Sequence, residues 1–380
     1  MQQVDAVVAG HLCLDIIPEL HGQVLFEPGR LIEAGPATIA TGGAVSNTGQ
    51  SLHKLGVNVK LIGKVGEGLF GDAIKHVLEQ TGADLSCDLV TCDRSPTSYT
   101  IVVNLAGQDR MFLHAPGCNS VFGAEDVSDE VLASARLMHF GYPPLMARMF
   151  ADEGAELVAL FRRAKDLGCT TSLDMSLPDA NAPSGRANWP RILESVLPYV
   201  DLFLPSIEEV LFMLDRPMFE SLKGSRLNHL PVAVIRDLAN ECQRLGAKIV
   251  GIKMGSRGLY LNAVAKLEGM GRATPQRLDE WSGVELWAPC FKIDVAGTTG
   301  AGDSTIAGVL VGLLKGLGPA KSAEAGVAAG AFCCERPDAI SGLRPWSEIE
   351  ARIIASWERV NPNLGTEWAF SDNVWVDTGR

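Results

Sequence analysis

Short apolar runs of strand length alternate with helical patterns from residue 6 to residue 262, and this alternation limits what the chain can become. Strand-like runs fall at residues 6–10, 59–65, 137–140, 170–173, 202–204, 249–253 and 258–262. Helical spacing fills the intervals at 44–55 (stopped by Gly56), 72–80, 155–167, 189–197 and 232–245. The pattern predicts an α/β fold: a mainly parallel sheet covered by helices on both faces. Two stretches break it. Residues 11–40 are irregular, with several Gly and Pro, and residues 95–116 hold two β-like runs, 99–104 and 111–114, around Ala106-Gly107-Gln108-Asp109. Together they predict a small antiparallel sheet beside the main body, with a cleft at the carboxyl edge of the larger sheet. Residues 265–287 read as a polar surface insertion, and the chain beyond Asn361 as a loosely docked extension.

A length of 380 residues accommodates one large α/β domain or two smaller ones. The net charge of −12 and pI near 5.1 argue against a nucleic-acid or anionic-membrane surface. The nine cysteines are odd in number, scattered and free of C-x-x-C spacing, which predicts free thiols and a reducing, cytoplasmic setting. Seven histidines show no H-x-x-H or H-x-x-x-H pair, so a built-in zinc site is not expected. Neither a charged-then-apolar leader nor an 18-residue apolar run is present.

The densest chemistry lies in Asp294-Val-Ala-Gly-Thr-Thr-Gly-Ala-Gly-Asp-Ser304. Gly300, Ala301 and Gly302 leave backbone N–H groups uncovered before a stripe at Ile306, Val309, Leu310, Leu313 and Leu314, and such a helix start binds anions. Asp303 in the first turn is expected to be ionised. A carboxylate beside an anion site makes sense as a base taking a proton from an attacking hydroxyl, although Asp also suits any helix start.

Gly42-Gly43 precedes a second helix whose first turn holds Asn47, which can donate and accept toward a polyol. Asp15 follows the first strand and can accept from sugar hydroxyls. Lys253-Met-Gly255-Ser-Arg-Gly258 has the composition of a turn that a flat ligand can approach. Pro205-Ser206-Ile-Glu208-Glu209 starts a helix, and one carboxylate there can hold magnesium through water as well as satisfy the dipole. Gly66-Glu-Gly68-Leu-Phe-Gly71, with Asp88 beyond it, matches a dinucleotide fingerprint, yet it does not belong to the first βα unit. Gly71 and Asp72 read better as a helix start.

These segments, in this order, resemble the ribokinase-like (PfkB) family of carbohydrate kinases over about residues 4–345, most specifically at Thr299-Gly-Ala-Gly-Asp303. The resemblance implies a ribokinase-like domain over 1–345, with a β-sheet lid from 11–40 and 95–116, followed by a C-terminal helix and extension over 346–380. It assigns Asp303 as catalytic base and Gly300, Ala301 and Gly302 as anion hole. Asp15, Gly42, Gly43 and Asn47 match the sugar-binding positions, while Lys253, Gly255, Gly258 and Thr299 match the nucleotide side. Ser206 stands where the family's magnesium motif carries Asn, and Glu209 keeps the acidic position. Gly297 stands where many members carry an Asp that helps bind a monovalent cation, which leaves that cation open, with Asp294 nearby.

The implied activity is ATP- and Mg2+-dependent phosphorylation of a hydroxyl on a small sugar, with no nucleic-acid or membrane partner and with homodimerisation through the lid. An adenosine-type nucleoside kinase and a non-catalytic sugar sensor on the same fold are the competing readings. Retention of both base and anion hole speaks against the sensor.

Overall fold

The computed structural model describes residues 3–20, 27–105, 111–222 and 229–377. Among these, a ten-stranded sheet runs in the order Trp368–Ser371, Val374–Asp377, Glu285–Ala288, Leu259–Ala263, Ile249–Lys253, Leu202–Phe203, Thr170–Asp174, Ala135–Gly141, Val4–Gly10, Val59–Ile62. From Ile249–Lys253 to Val59–Ile62 every pairing is parallel, and the remaining four strands add in antiparallel fashion.

Alternation along each strand sends side chains to opposite faces. Val7, Ala9, Met138 and Phe140 pack against the helices Ala155–Asp166, Trp189–Val196 and Val232–Arg244, including Phe161, Ile192 and Ile235. Ala6, Val8 and Leu137 pack on the other face with Val45, Leu52, Ile306 and Leu310 of the helices Ala44–Lys54 and Ala301–Leu314. Of the described helices, none is long and apolar enough to cross a membrane.

Several expectations need correction. The run 59–65 is two strands, because Gly63 breaks it where a side chain would strike Leu12 at 2.7 Å. Lys64–Gly66 leaves the large sheet and pairs in parallel with Val90–Cys92. The next helix spans Leu69–Thr81, capped at Gly68 with φ 100°, and so begins before Gly71 and Asp72. The small sheet is mixed: Cys13–Pro18 runs antiparallel to Ala37–Gly42 but parallel to Tyr99–Val103, which is antiparallel to Met111–Ala115. The parallel pair arises because the chain passes through two helices before returning. The turn expected at Ala106–Asp109 lies outside the described residues.

The stretch 265–287 is not a surface insertion. Met270, Ala273 and Trp281 are buried, Arg272 Nε donates to the Ala135 carbonyl at 2.7 Å, and Glu285–Ala288 is a strand of the large sheet. Its anchors are spaced without period, so a periodicity reading passes over them. The tail is not loosely docked either. Trp368–Ser371 and Val374–Asp377 form a hairpin on the sheet edge, with Val376 opposite Leu286 and Trp375 opposite Trp287. Its turn residues Asp372 and Asn373 have φ 50° and 66°, the left-handed pair a two-residue hairpin requires.

The helix Ala301–Leu314 is pressed onto Pro319–Cys334 by small residues. A methyl at Gly308 would lie 2.4 Å from the Ala325 carbonyl oxygen, so the two backbones touch there. Gly308→Ala is expected to force these helices apart and cost about 1–3 kcal/mol, the usual range for overpacking. A shift in the urea unfolding midpoint at unchanged slope measures it.

Candidate active site

Five adjacent parallel strands end on one edge of the sheet. Their last or following residues are His11, Tyr142, Asp174, Ser206 and Lys253. The chain leaves Val4–Gly10 toward Val59–Ile62 on one side and returns to Ala135–Gly141 on the other, so His11 and Tyr142 flank the point where strand order reverses. Open α/β sheets bind ligands at that point. Tyr142 is held at φ 68°, a left-handed conformation uncommon outside glycine and concentrated at functional sites.

Asp303 lies in the first turn of its helix and is 2% exposed. Its carboxylate accepts from Asn47 Nδ2 at 3.1 Å, Thr48 Oγ1 at 3.2 Å and Tyr142 OH at 2.8 and 3.0 Å. Burial raises its pKa, opposed by the Lys253 charge and these three donors. The expectation of a freely ionised carboxylate is therefore modified: the helix terminus alone does not set its charge. Tyr142 is pushed well above the ordinary phenol value by burial and by Asp303 and Asp174, so it remains a donor.

Lys253 Nζ bonds Asp174 Oδ1 at 2.5 Å, with the Asp174 side chain buried and that of Lys253 12% exposed. Burial pulls the lysine down, but Asp174, Glu209 and Asp303 outweigh it and hold its pKa up. Asp174 is raised by burial and by the two neighbouring carboxylates in spite of its lysine. Three carboxylates thus share one ammonium, an arrangement suited to receiving further positive charge.

A cleft of about 830 Å³ is lined by Tyr142, Asp174, Glu209, Lys253, Gly255, Gly258 and Gly300–Asp303. The predicted nucleotide-side and anion-site residues therefore meet in one place, except that Thr298 rather than Thr299 lines the cleft. Gly258, at φ 105°, would place a side chain 2.0 Å from the Ala288 carbonyl. Gly300 caps the helix at φ 72°. The Ala301 N–H is not uncovered as expected, since it donates to the Thr298 carbonyl at 3.3 Å. The N–H groups of Gly302 and Asp303 remain in the first turn, where a helix supplies no partner.

Ser206 and Glu209 form a capping box: Glu209 Oε2 accepts from the Ser206 N–H at 2.6 Å, and Ser206 Oγ accepts from the Glu209 N–H at 3.3 Å. One oxygen of the predicted metal residue is therefore engaged by its own helix start. Gly297 packs on Pro337, whose Cα would be 2.9 Å from any side chain there, and Asp294 is exposed.

Asp15, Gly42, Gly43 and Asn47, expected on the acceptor side, do not line this cleft, and Asn47 reaches it only through its bond to Asp303. A side chain at Gly42 would strike the Asp15 carboxylate at 2.4 Å, and one at Gly43, φ 89°, would strike the His11 carbonyl at 2.4 Å. Both glycines thus admit the chain's own groups. Asp15 is lifted by burial to about 6. The Gly66–Gly71 decoy is structural, since a side chain at Gly71 would meet the Gly66 carbonyl at 2.2 Å and Asp88 pairs with Lys60 at 2.8 Å. Sequence reasoning missed Asp174, Thr48 and the Tyr142 hydroxyl as site groups. A carboxylate ending a parallel strand was the available signal for Asp174.

The pfkB family carbohydrate kinase profile matches residues 4–346. The 2-dehydro-3-deoxygluconokinase of Bacillus subtilis (strain 168) is 25% identical over 345 residues, covering 89% of this chain and 94% of that protein. Fructokinase-1 of Zea mays is 23% identical, covering 80% of this chain and 82% of the relative. Among solved structures, Arabidopsis thaliana ribokinase complexed with ribose and ATP superposes with a TM-score of 0.67 at 20% identity, over 92% of this chain and 98% of that one. Xylella fastidiosa fructokinase with bound ATP gives 0.67 at 19% identity, over 92% and 98%. With its sheet, cleft and matched segments in one register, the chain belongs to the pfkB family of carbohydrate kinases.

Proposed function

We propose that this chain transfers the γ-phosphoryl group of ATP to a hydroxyl of a small sugar or sugar-like molecule, with Asp303 as general base. The observation that carries the reading is the placement of Asp303. Its carboxylate lies at the start of a helix whose first-turn amides face the cleft, and it is bonded to Asn47, an acceptor-side residue. A hydroxyl beside Asp303 would lose its proton to the carboxylate as its oxygen attacks in line. Charge on the phosphoryl group would meet the Gly302 and Asp303 amides and the positive helix end. Lys253, tied to Asp174, would supply a fixed cation at the phosphates.

ATP-bound relatives support the nucleotide assignment. Asp174 and Glu209 both face the cleft and carry oxygen ligands, the donor type magnesium prefers. They fit an ion held largely through water. When bound, that ion neutralises phosphate charge; proton transfer and positioning remain with the side chains. The small sheet also exposes Met111, Phe112 and Leu113, which supports its use as a contact between two copies as well as a cover over the acceptor.

Asp303→Asn is expected to keep ATP binding and to lower turnover by about 10²–10⁴, the range for losing a general base. Calorimetric ATP titration with a coupled ADP assay over a sugar panel measures both, and near wild-type turnover would refute the assignment. Tyr142→Phe removes a donor that favours the ionised form of Asp303. The acid limb of the pH–rate profile is therefore expected to move to higher pH, and an unmoved limb would exclude Tyr142 from tuning the base.

A further inference from the structure

His11 follows the strand Val4–Gly10 and is 2% exposed, yet neither Nδ1 nor Nε2 has a hydrogen-bond partner. Its ring lies 6.2 Å from that of Tyr142, which bonds the base, and 5.2 Å from that of His114 on the small sheet. The imidazole thus stands at the strand-order reversal, between Asp303's phenol partner and the sheet that faces it. Asn47, whose Nδ2 holds Asp303, leaves its buried Oδ1 equally unpartnered. Buried polar atoms without partners are rare and costly, and three on residues linked through Asp303 and Tyr142 call for a ligand.

The chemistry of the unmatched atoms narrows that ligand. Burial pulls His11 down to about 3, with His114 acting in the same direction, and His114 is itself lowered by burial. A neutral imidazole offers one donor and one acceptor, and Asn47 Oδ1 and the Asp15 carboxylate add acceptors only. The set is rich in acceptors and asks for a ligand rich in donors. Hydroxyls both donate and accept; a carboxylate only accepts. An anionic acceptor would also enter the field of Asp15 and Asp303 with no charged imidazole to offset it.

We propose that His11 contacts the acceptor and, with Asn47 and Asp15, selects an uncharged polyhydroxy molecule over a sugar acid. This rests on the phosphoryl-transfer reading above. His11→Leu keeps the volume and removes both nitrogens. Wild type and variant are assayed for ADP release with D-fructose, D-ribose and 2-dehydro-3-deoxygluconate, alongside thermal melting and ATP titration. Wild type is expected to turn over an uncharged probe in preference to the acid. The variant should raise KM for that probe roughly tenfold to hundredfold, the loss of one or two neutral hydrogen bonds. Its ATP affinity should stay unchanged and its melting temperature unchanged or higher, since two unpaired buried nitrogens are gone. Preference for 2-dehydro-3-deoxygluconate, a KM within twofold of wild type, or a lowered melting temperature would each overturn the inference while leaving the kinase reading intact. No turnover with any probe, despite ATP binding, would overturn the kinase reading and this inference with it.

Discussion

The site depends on keeping a buried carboxylate chargeable. Asp303 is removed from water, and burial by itself opposes ionisation. Three donors from two elements answer that cost: Asn47 and Thr48 from the helix Ala44–Lys54, and Tyr142 from the end of a central strand. The same bonds fix the carboxylate's direction. The Asp303 carboxylate is therefore inseparable from the packing of its helix against its neighbours, and Ser51 meeting Ser304 at 3.3 Å extends the contact by a turn.

The helix Ala44–Lys54 joins two regions of the fold. Its first residues follow the strand Ala37–Gly42 of the small sheet, and its first turn bonds Asp303. Its last residue, Lys54, donates to the Ile340 carbonyl at 2.8 Å, in a loop whose Ala339 packs on Gly300. The small sheet is thus connected through one short helix to the first turn of Ala301–Leu314. The glycines at 42 and 43 serve that connection by admitting Asp15 and the His11 backbone.

Electrostatics explain how an acidic chain can serve an anionic nucleotide. Asp174, Glu209 and Asp303 act together on Lys253 and hold its ammonium charged in spite of burial. Among the described residues lining the cleft, Lys253, Lys292 and the first-turn amides oppose these carboxylates. A fixed ammonium and oriented amides act locally, so the net charge of −12 does not argue against an anionic ligand there.

Much of the fold was legible in sequence, since apolar period and length distinguish buried strands from covering helices. The run from Gly300 to Asp303 and the turn from Lys253 to Gly258 were legible because glycine spacing reports backbone geometry directly. What stayed hidden depends on partners distant in sequence. Residues 265–287 and the C-terminal hairpin were misread because isolated anchors such as Trp281 and Trp375 carry no period. The direction of the central pair in the small sheet was misread because a long return leaves orientation free. Asp174 and Tyr142 acquire meaning only where neighbouring strands end together, and the unpaired nitrogens of His11 only where the whole chain has closed around them. Local chemistry is written along the chain; which groups are buried, paired or left waiting is decided by contacts between residues hundreds of positions apart.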